Sequence, residues 1–86
     1  MSHSVTWSER AISAGSRFLA DDPEGLAQVL DATDRLADNP HPAGAFPYGS
    51  DDLLRIRVGS YRVLYEIDRT MHSITVLHVG RVALRQ

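Results

Sequence analysis

Three arginines, Arg55, Arg57 and Arg62, flank Gly59-Ser60 in the stretch Leu53-Leu54-Arg55-Ile56-Arg57-Val58-Gly59-Ser60-Tyr61-Arg62-Val63-Leu64-Tyr65-Glu66-Ile67. Two runs of alternating residues joined by Gly-Ser predict a hairpin with a two-residue turn. The turn sets the register: Val58 faces Tyr61, Arg57 faces Arg62, Ile56 faces Val63, Arg55 faces Leu64 and Leu54 faces Tyr65. Strand side chains alternate, so Leu54, Ile56, Val58, Tyr61, Val63 and Tyr65 share the core face, and Arg55, Arg57 and Arg62 share the other. Like charges paired across a sheet are destabilising. A bound anion on that face would relieve the repulsion of Arg57 and Arg62, and the planar guanidinium fork suits phosphate. The plainer alternatives are neutralisation by Glu66 or another acid, and splaying of the arginines into solvent.

Other side chains can be weighed for chemistry in the same way. Histidine is the residue type that titrates nearest neutrality. His3 near the N-terminus, His41 in a Pro-rich loop and His72 in a turn are expected to be exposed bystanders. His78 lies in the last predicted strand. With Leu77 and Val79 inward it points to the arginine face, either as a proton donor or as filler. Glu66 shares that face as a possible base, though neutralising Arg55 is the favoured role. Tyr61 and Tyr65 are structural by register. Tyr48 sits in a loop, from which it could stack on a base. Arg81 follows the last strand. Strict alternation puts it on the core side with Leu77 and Val79, whereas a bulge at Gly80 would re-aim it toward the cluster. Arg69 and Arg85 are expected to be solvated charges. The chain has no lysine, and arginine, with a pKa above about 12, is a poor general base. No His-x-x-x-His, paired acidic ligands or P-loop occurs, so no metal and no nucleotide cofactor are expected.

The elements that position these residues are legible from pattern. Val5-Thr6-Trp7 reads as a first strand. Ser8 caps a helix from about Glu9 to Leu19, with Glu9 in its first turn. The apolar face is expected at Ile12, Gly15 and Leu19, with Ala11 and Phe18 beside it. Asp22-Pro23-Glu24 restarts a helix, with Asp22 as cap and Pro23 at the first helical position. Leu26, Val29, Leu30, Thr33, Leu36 and Ala37 then form one stripe at about 3.6 residues per turn. Asn39-Pro40-His41-Pro42 stops it, and a loop runs to about Asp52. After the hairpin, Asp68 to Ser73 is a turn and Ile74 to Val79 the last strand. The order β-α-α-β-β-β implies an α+β domain, with two N-terminal helices packed on one face of a small antiparallel sheet.

Composition sets the outer bounds. Eighty-six residues make one domain, 1–86, with a small core and marginal stability, which a tight partner would raise by binding only the folded form. There is no cysteine, so neither a disulfide framework nor a thiolate metal site. No apolar run of about 18 residues reads as a membrane span, and no signal peptide is recognisable, so the expected address is cytoplasmic. The net charge of −2 hides an asymmetry. Residues 1–52 carry three arginines against nine acidic residues, whereas 53–86 carry six arginines against Glu66 and Asp68. That split favours an acidic or nucleic-acid partner for the C-terminal half, the plain alternative being chance clustering on a mixed surface.

The hairpin stretch resembles the hallmark segment of RelE-type toxins of the RelE/ParE superfamily. Val5-Thr6-Trp7-Ser8, Asp34-Arg35-Leu36-Ala37-Asp38-Asn39-Pro40 and Val79-Gly80-Arg81 extend the resemblance over nearly the whole chain. It implies a RelE-like fold and the toxin role in a type II toxin–antitoxin system. The implied activity is ribosome-dependent, metal-independent cleavage of mRNA in the A site, with the 2′-hydroxyl attacking the adjacent phosphate. It also implies a cognate RelB-like antitoxin, with operator DNA bound only through the antitoxin complex, and no membrane. Carried over by motif, Arg55, Arg57, Arg62 and Arg81 take the basic positions. RelE-type members often continue past the final Val-Gly into a basic stretch and a tyrosine; here the sequence reads Arg81-Val82-Ala83-Leu84-Arg85-Gln86. His78 is then the candidate stand-in for the tyrosine. The resemblance also admits a ParE-type gyrase inhibitor, and a degenerate toxin serving as antitoxin partner and co-repressor.

Overall fold

The computed structural model describes residues 2–82. Strand β1 (Ser4–Trp7) leads into helices α1 (Glu9–Asp21) and α2 (Pro23–Arg35). Four strands follow: β2 (Phe46–Ser50), β3 (Leu53–Val58), β4 (Tyr61–Asp68) and β5 (Ser73–Arg81). They form one sheet in the order β1-β5-β4-β3-β2. This is the α+β architecture expected, with two differences. The sheet has a fifth strand, β2, where a loop was expected, and β1 runs parallel to β5 while the other neighbours are antiparallel.

Both helix starts carry the expected caps. The Ser8 hydroxyl accepts from the Ala11 amide at 3.2 Å and donates to the Leu77 carbonyl at 3.0 Å, tying the start of α1 to β5. Asp22 accepts from the Gly25 amide at 3.1 Å, with Pro23 at the first helical position. The buried side of α1 matches the expected one at Gly15 and Ala11 and departs from it at Ile12 and Leu19. Ala11, Ala14 and Gly15 face the sheet, and Ile12 and Leu19 are exposed. The cause is close approach: a Cβ at Gly15 would sit 3.0 Å from the Trp7 ring, so only small residues fit beneath the helix. The stripe on α2 holds at Leu26, Val29, Thr33 and Leu36, while Leu30 faces outward.

The hairpin register is the one the Gly-Ser turn implied at all five pairs. Gly59 has φ 59°, the left-handed conformation that turns of this kind demand and glycine adopts without strain. Leu54, Ile56, Tyr61, Val63 and Tyr65 are buried with Ile67, Ile74, Val76 and Val79 under the helices. Burial pushes the Tyr65 hydroxyl up to about 12, and it donates to the Pro40 carbonyl at 2.7 Å, pinning the loop after α2 to the core. One detail of β5 departs from alternation. Tyr65 pairs with Val76 and Leu64 with His78, so Leu77 is an extra, half-buried residue in a bulge instead of a core residue. No helix among the described residues is long and apolar enough to cross a membrane.

Candidate nucleic-acid interface

Strands β2 to β5 carry the candidate site on the face opposite the helices. Arg55 and Arg57 project from β3 and Arg62 from β4, with Arg57 paired to Arg62 across the ladder. Arg57 and Arg62 are exposed and Arg55 is half-buried. The ion pairs found among the described residues are Arg35–Asp31, Arg69–Asp52 and Arg81–Asp21. None involves the three arginines, so the expected neutralisation of Arg55 by Glu66 does not form. Glu66 lies farther along β4, paired with Leu53 and Thr75. Among the described residues Arg57 alone of the three finds an acceptor: its Nε donates to the Gly59 carbonyl at 3.3 Å.

The bulge at Leu77 brings His78 opposite Leu64, on the arginine side. His78 Nδ1 is buried and has no hydrogen-bond partner among the described residues. An open depression of about 300 Å³ is bordered by Tyr48, Arg55, Arg62, Leu64, His78 and Gly80. A second, of about 200 Å³, is bordered by Gly44, Phe46, Arg55, Arg57 and Arg62. Arg55 and Arg62 therefore form the ridge between the two. Tyr48 belongs to β2 instead of a loop, and its ring lies under the Arg55 guanidinium at 5.4 Å. Sequence reasoning missed Phe46, whose signal was the alternation Phe46-Pro47-Tyr48 hidden by the proline. Proline is tolerated here because β2 is an edge strand.

Arg81 is placed differently. It pairs with Tyr61 across β4 and β5, on the helix side, as strict alternation requires; the bulge lies at Leu77 and not at Gly80. Its Nη1 binds Asp21 at 2.7 Å, a contact that raises its pKa, and its guanidinium stacks 5.1 Å from the Phe18 ring. Arg81 borders the larger depression, but its charge is committed to the helix side. There it joins a network in which the Tyr61 hydroxyl donates to Asp22 at 2.9 Å. Asp22 is held below the usual carboxylate value, first by the Gly25 amide and then by Tyr61. Tyr61 is pushed up by burial and by Asp22.

Residues 15–83 match the model of the ParE toxin of the type II toxin–antitoxin system, parDE. The chain belongs to this toxin family, within the RelE/ParE superfamily. The toxin is similar in structure to the RelBE2 toxin–antitoxin complex of Mycobacterium tuberculosis, with TM-score 0.80 and 23% identity over 94% of this chain and 99% of that one. It is similar to the isolated RelE toxin of E. coli, with TM-score 0.80 and 16% identity over 98% and 88%. The chromosomal ParDE system of P. aeruginosa superposes at TM-score 0.71 and 10% identity over 94% and 97%. No curated protein matches the sequence at a significant level. These likenesses establish the toxin fold.

The remaining histidines of the toxin lie at the far end of the sheet. His41 and His72 are exposed as expected, but His3 is half-buried and its ring meets His72 edge-on at 5.7 Å. No cluster of metal-ligating side chains occurs among the described residues. The stretch after Val82, including Arg85, lies outside the described residues.

Proposed function

We propose that the toxin is a RelE-type endoribonuclease that cuts mRNA in the ribosomal A site and so inhibits translation. The observation that carries this reading is the convergence of Arg55, Arg57 and Arg62 on one open face, with no carboxylate pairing among the described residues. Repelling charges left unpaired suit a polyanion that supplies the missing counter-charge. In the reaction the 2′-hydroxyl oxygen attacks the adjacent phosphorus and the bond to the 5′-oxygen breaks. The 2′-hydroxyl proton leaves to solvent. Arg55, Arg57 and Arg62 bind the phosphate and stabilise its growing negative charge. His78, on the same depression, donates the proton that the departing 5′-oxygen needs, and Tyr48 contacts a base. Arg81, committed to Asp21 and Phe18, stands outside this set and braces the rim of the site. The chemistry requires no metal.

The same reading places the toxin in the cytoplasm with a cognate RelB-like antitoxin, since the RelE relatives were captured in RelB complexes. Operator DNA is reached only through that complex. A second reading, a ParE-type inhibitor of gyrase, is favoured by the family model that spans residues 15–83. Primer extension on translating ribosomes, run beside a gyrase supercoiling assay, tests the proposal. Codon-positioned cuts with normal gyrase support it. Intact mRNA with inhibited gyrase establishes the second reading, and neither effect identifies a toxin reduced to partnering its antitoxin.

A further inference from the structure

All five residues of β2 are exposed, so this strand adds nothing to the core. Two of them are nevertheless aromatic, Phe46 at 63% and Tyr48 at 53% exposure. Both rings lie on the arginine face: Phe46 pairs with Arg55 and borders the depression shared with Arg57 and Arg62, and Tyr48 borders the one shared with His78. Exposed aromatics on an edge strand invite self-association, and a strand chosen only for stability would not present two of them beside cations that have no carboxylate partner among the described residues; the Arg55 guanidinium covers one side of the Tyr48 ring. Residues two apart on a strand stand about 6.6 Å apart, at ~3.3 Å per residue, which suits one step of an extended single strand. The regular pairing ends at Pro47, and Tyr48 and Gly49, the latter with φ 99°, lie in the irregularity before Ser50 pairs with Leu53.

We propose that β2 is a two-base stacking platform on which Phe46 and Tyr48 each receive one of two neighbouring bases of single-stranded RNA, with the phosphate between them held on the Arg55–Arg62 ridge. This rests on the RNA reading above and adds to it a strand polarity along β2 and a demand for unpaired bases. Aromatic stacking tolerates any base, so the platform supplies affinity for single strands and leaves sequence choice to other contacts. The His78 ring borders the same depression as Tyr48, so it stands beside the base received there, although its Nδ1 is itself buried.

The test is a fluorescence-anisotropy titration of the full chain with a labelled single-stranded hexaribonucleotide and with an abasic ribose-phosphate of equal length. Phe46→Ala and Tyr48→Ala are each expected to weaken binding of the base-bearing strand roughly 5- to 150-fold and to leave the abasic strand unchanged. Phe46→Trp should keep the affinity, and Arg62→Ala should weaken both ligands. Thermal melts equal to wild type are expected for the β2 variants, because both side chains are mostly in solvent. Wild-type affinity in both alanine variants, with Arg62→Ala still weakened, would overturn the platform and leave the RNA reading standing. Equal losses on both ligands would also overturn it, by showing that the aromatics merely shape the arginines. No binding by wild type would overturn the platform, whereas the ribosome-dependent RNA reading falls only if primer extension on translating ribosomes shows no cuts.

Discussion

The two faces of the sheet obey different rules. On the helix side, four polar side chains find partners: Tyr61 has Asp22, Tyr65 has the Pro40 carbonyl, Thr33 has the Leu30 carbonyl and Arg81 has Asp21. On the other side, three arginines lack a carboxylate and His78 Nδ1 lacks a partner among the described residues, and two aromatic rings are more than half exposed. Strand alternation delivers both from the same residues, one position apart. A side chain on the first face raises stability by being satisfied. One on the second face is useful because it is not, since a phosphate or a base can complete it only if nothing in the chain already has.

The comparison predicts opposite signatures for substitutions on the two sides. Ile74 is wholly buried in the core, and Ile74→Ala should lower unfolding free energy by about 2–5 kcal/mol. Toxicity per folded molecule should persist. A urea midpoint near that of wild type would show that the helix side is not where stability resides. Across the sheet, Arg62→Ala should lower cleavage about 10²- to 10³-fold, with a Tm equal to wild type or higher, because repulsion with Arg57 is relieved. Arg57→Ala should behave likewise. Full activity in both would break the assignment of the face, and a large fall in Tm would show that the arginines serve the fold.

Much of this division is legible in the sequence. Gly59-Ser60 fixes the hairpin, and the hairpin fixes which arginines face each other; the observed pairing matches at Arg57 and Arg62. Local turn chemistry carried that information. What was not legible depended on packing or on a break in period. Gly15 and Ala11 are buried on α1 as their pattern suggests, but with Gly15 close against Trp7 the third buried position is Ala14, and Ile12 and Leu19 are left exposed. The Leu77 bulge leaves no mark in sequence, because Val76, Leu77 and Val79 are all apolar. Pro47 disguised β2 as loop, and with it Phe46. The partner of Arg81 could not be foreseen either, since Asp21 lies sixty residues earlier in the chain.

His78 sharpens the comparison because it shares a strand with the core. Its neighbours Val76 and Val79 are buried, while it borders the arginine depression. His78→Gln should therefore leave the Tm within experimental error of wild type. Cleavage should fall by about 10²-fold, the low end of what loss of a positioned proton donor costs, because the arginines still stabilise the transition state. Single-turnover rates on programmed ribosomes would measure it. An unchanged rate would mean that the ribosome or the RNA supplies the proton, and the arginine site would stand without His78.

The smallest effect belongs to the helix side and separates the faces by pH. Asp22 titrates below its ordinary 3.8 in the folded toxin, through the Gly25 amide and then the Tyr61 hydroxyl. A depressed carboxylate contributes stability that is fully present above its unfolded value and is lost as pH falls through its folded value. The Tm of wild type should thus exceed that of Asp22→Asn at neutral pH. The gap should close below roughly pH 4 as Asp22 takes up its proton. Arg62→Ala should show the full wild-type acid response, because Arg62 lies on the opposite face of the sheet from Asp22. A gap that stays constant down to acid pH would place the stabilisation in the cap's shape instead of its charge. A loss of acid response in Arg62→Ala would show that the two faces are coupled through Tyr61 and its neighbour on β4.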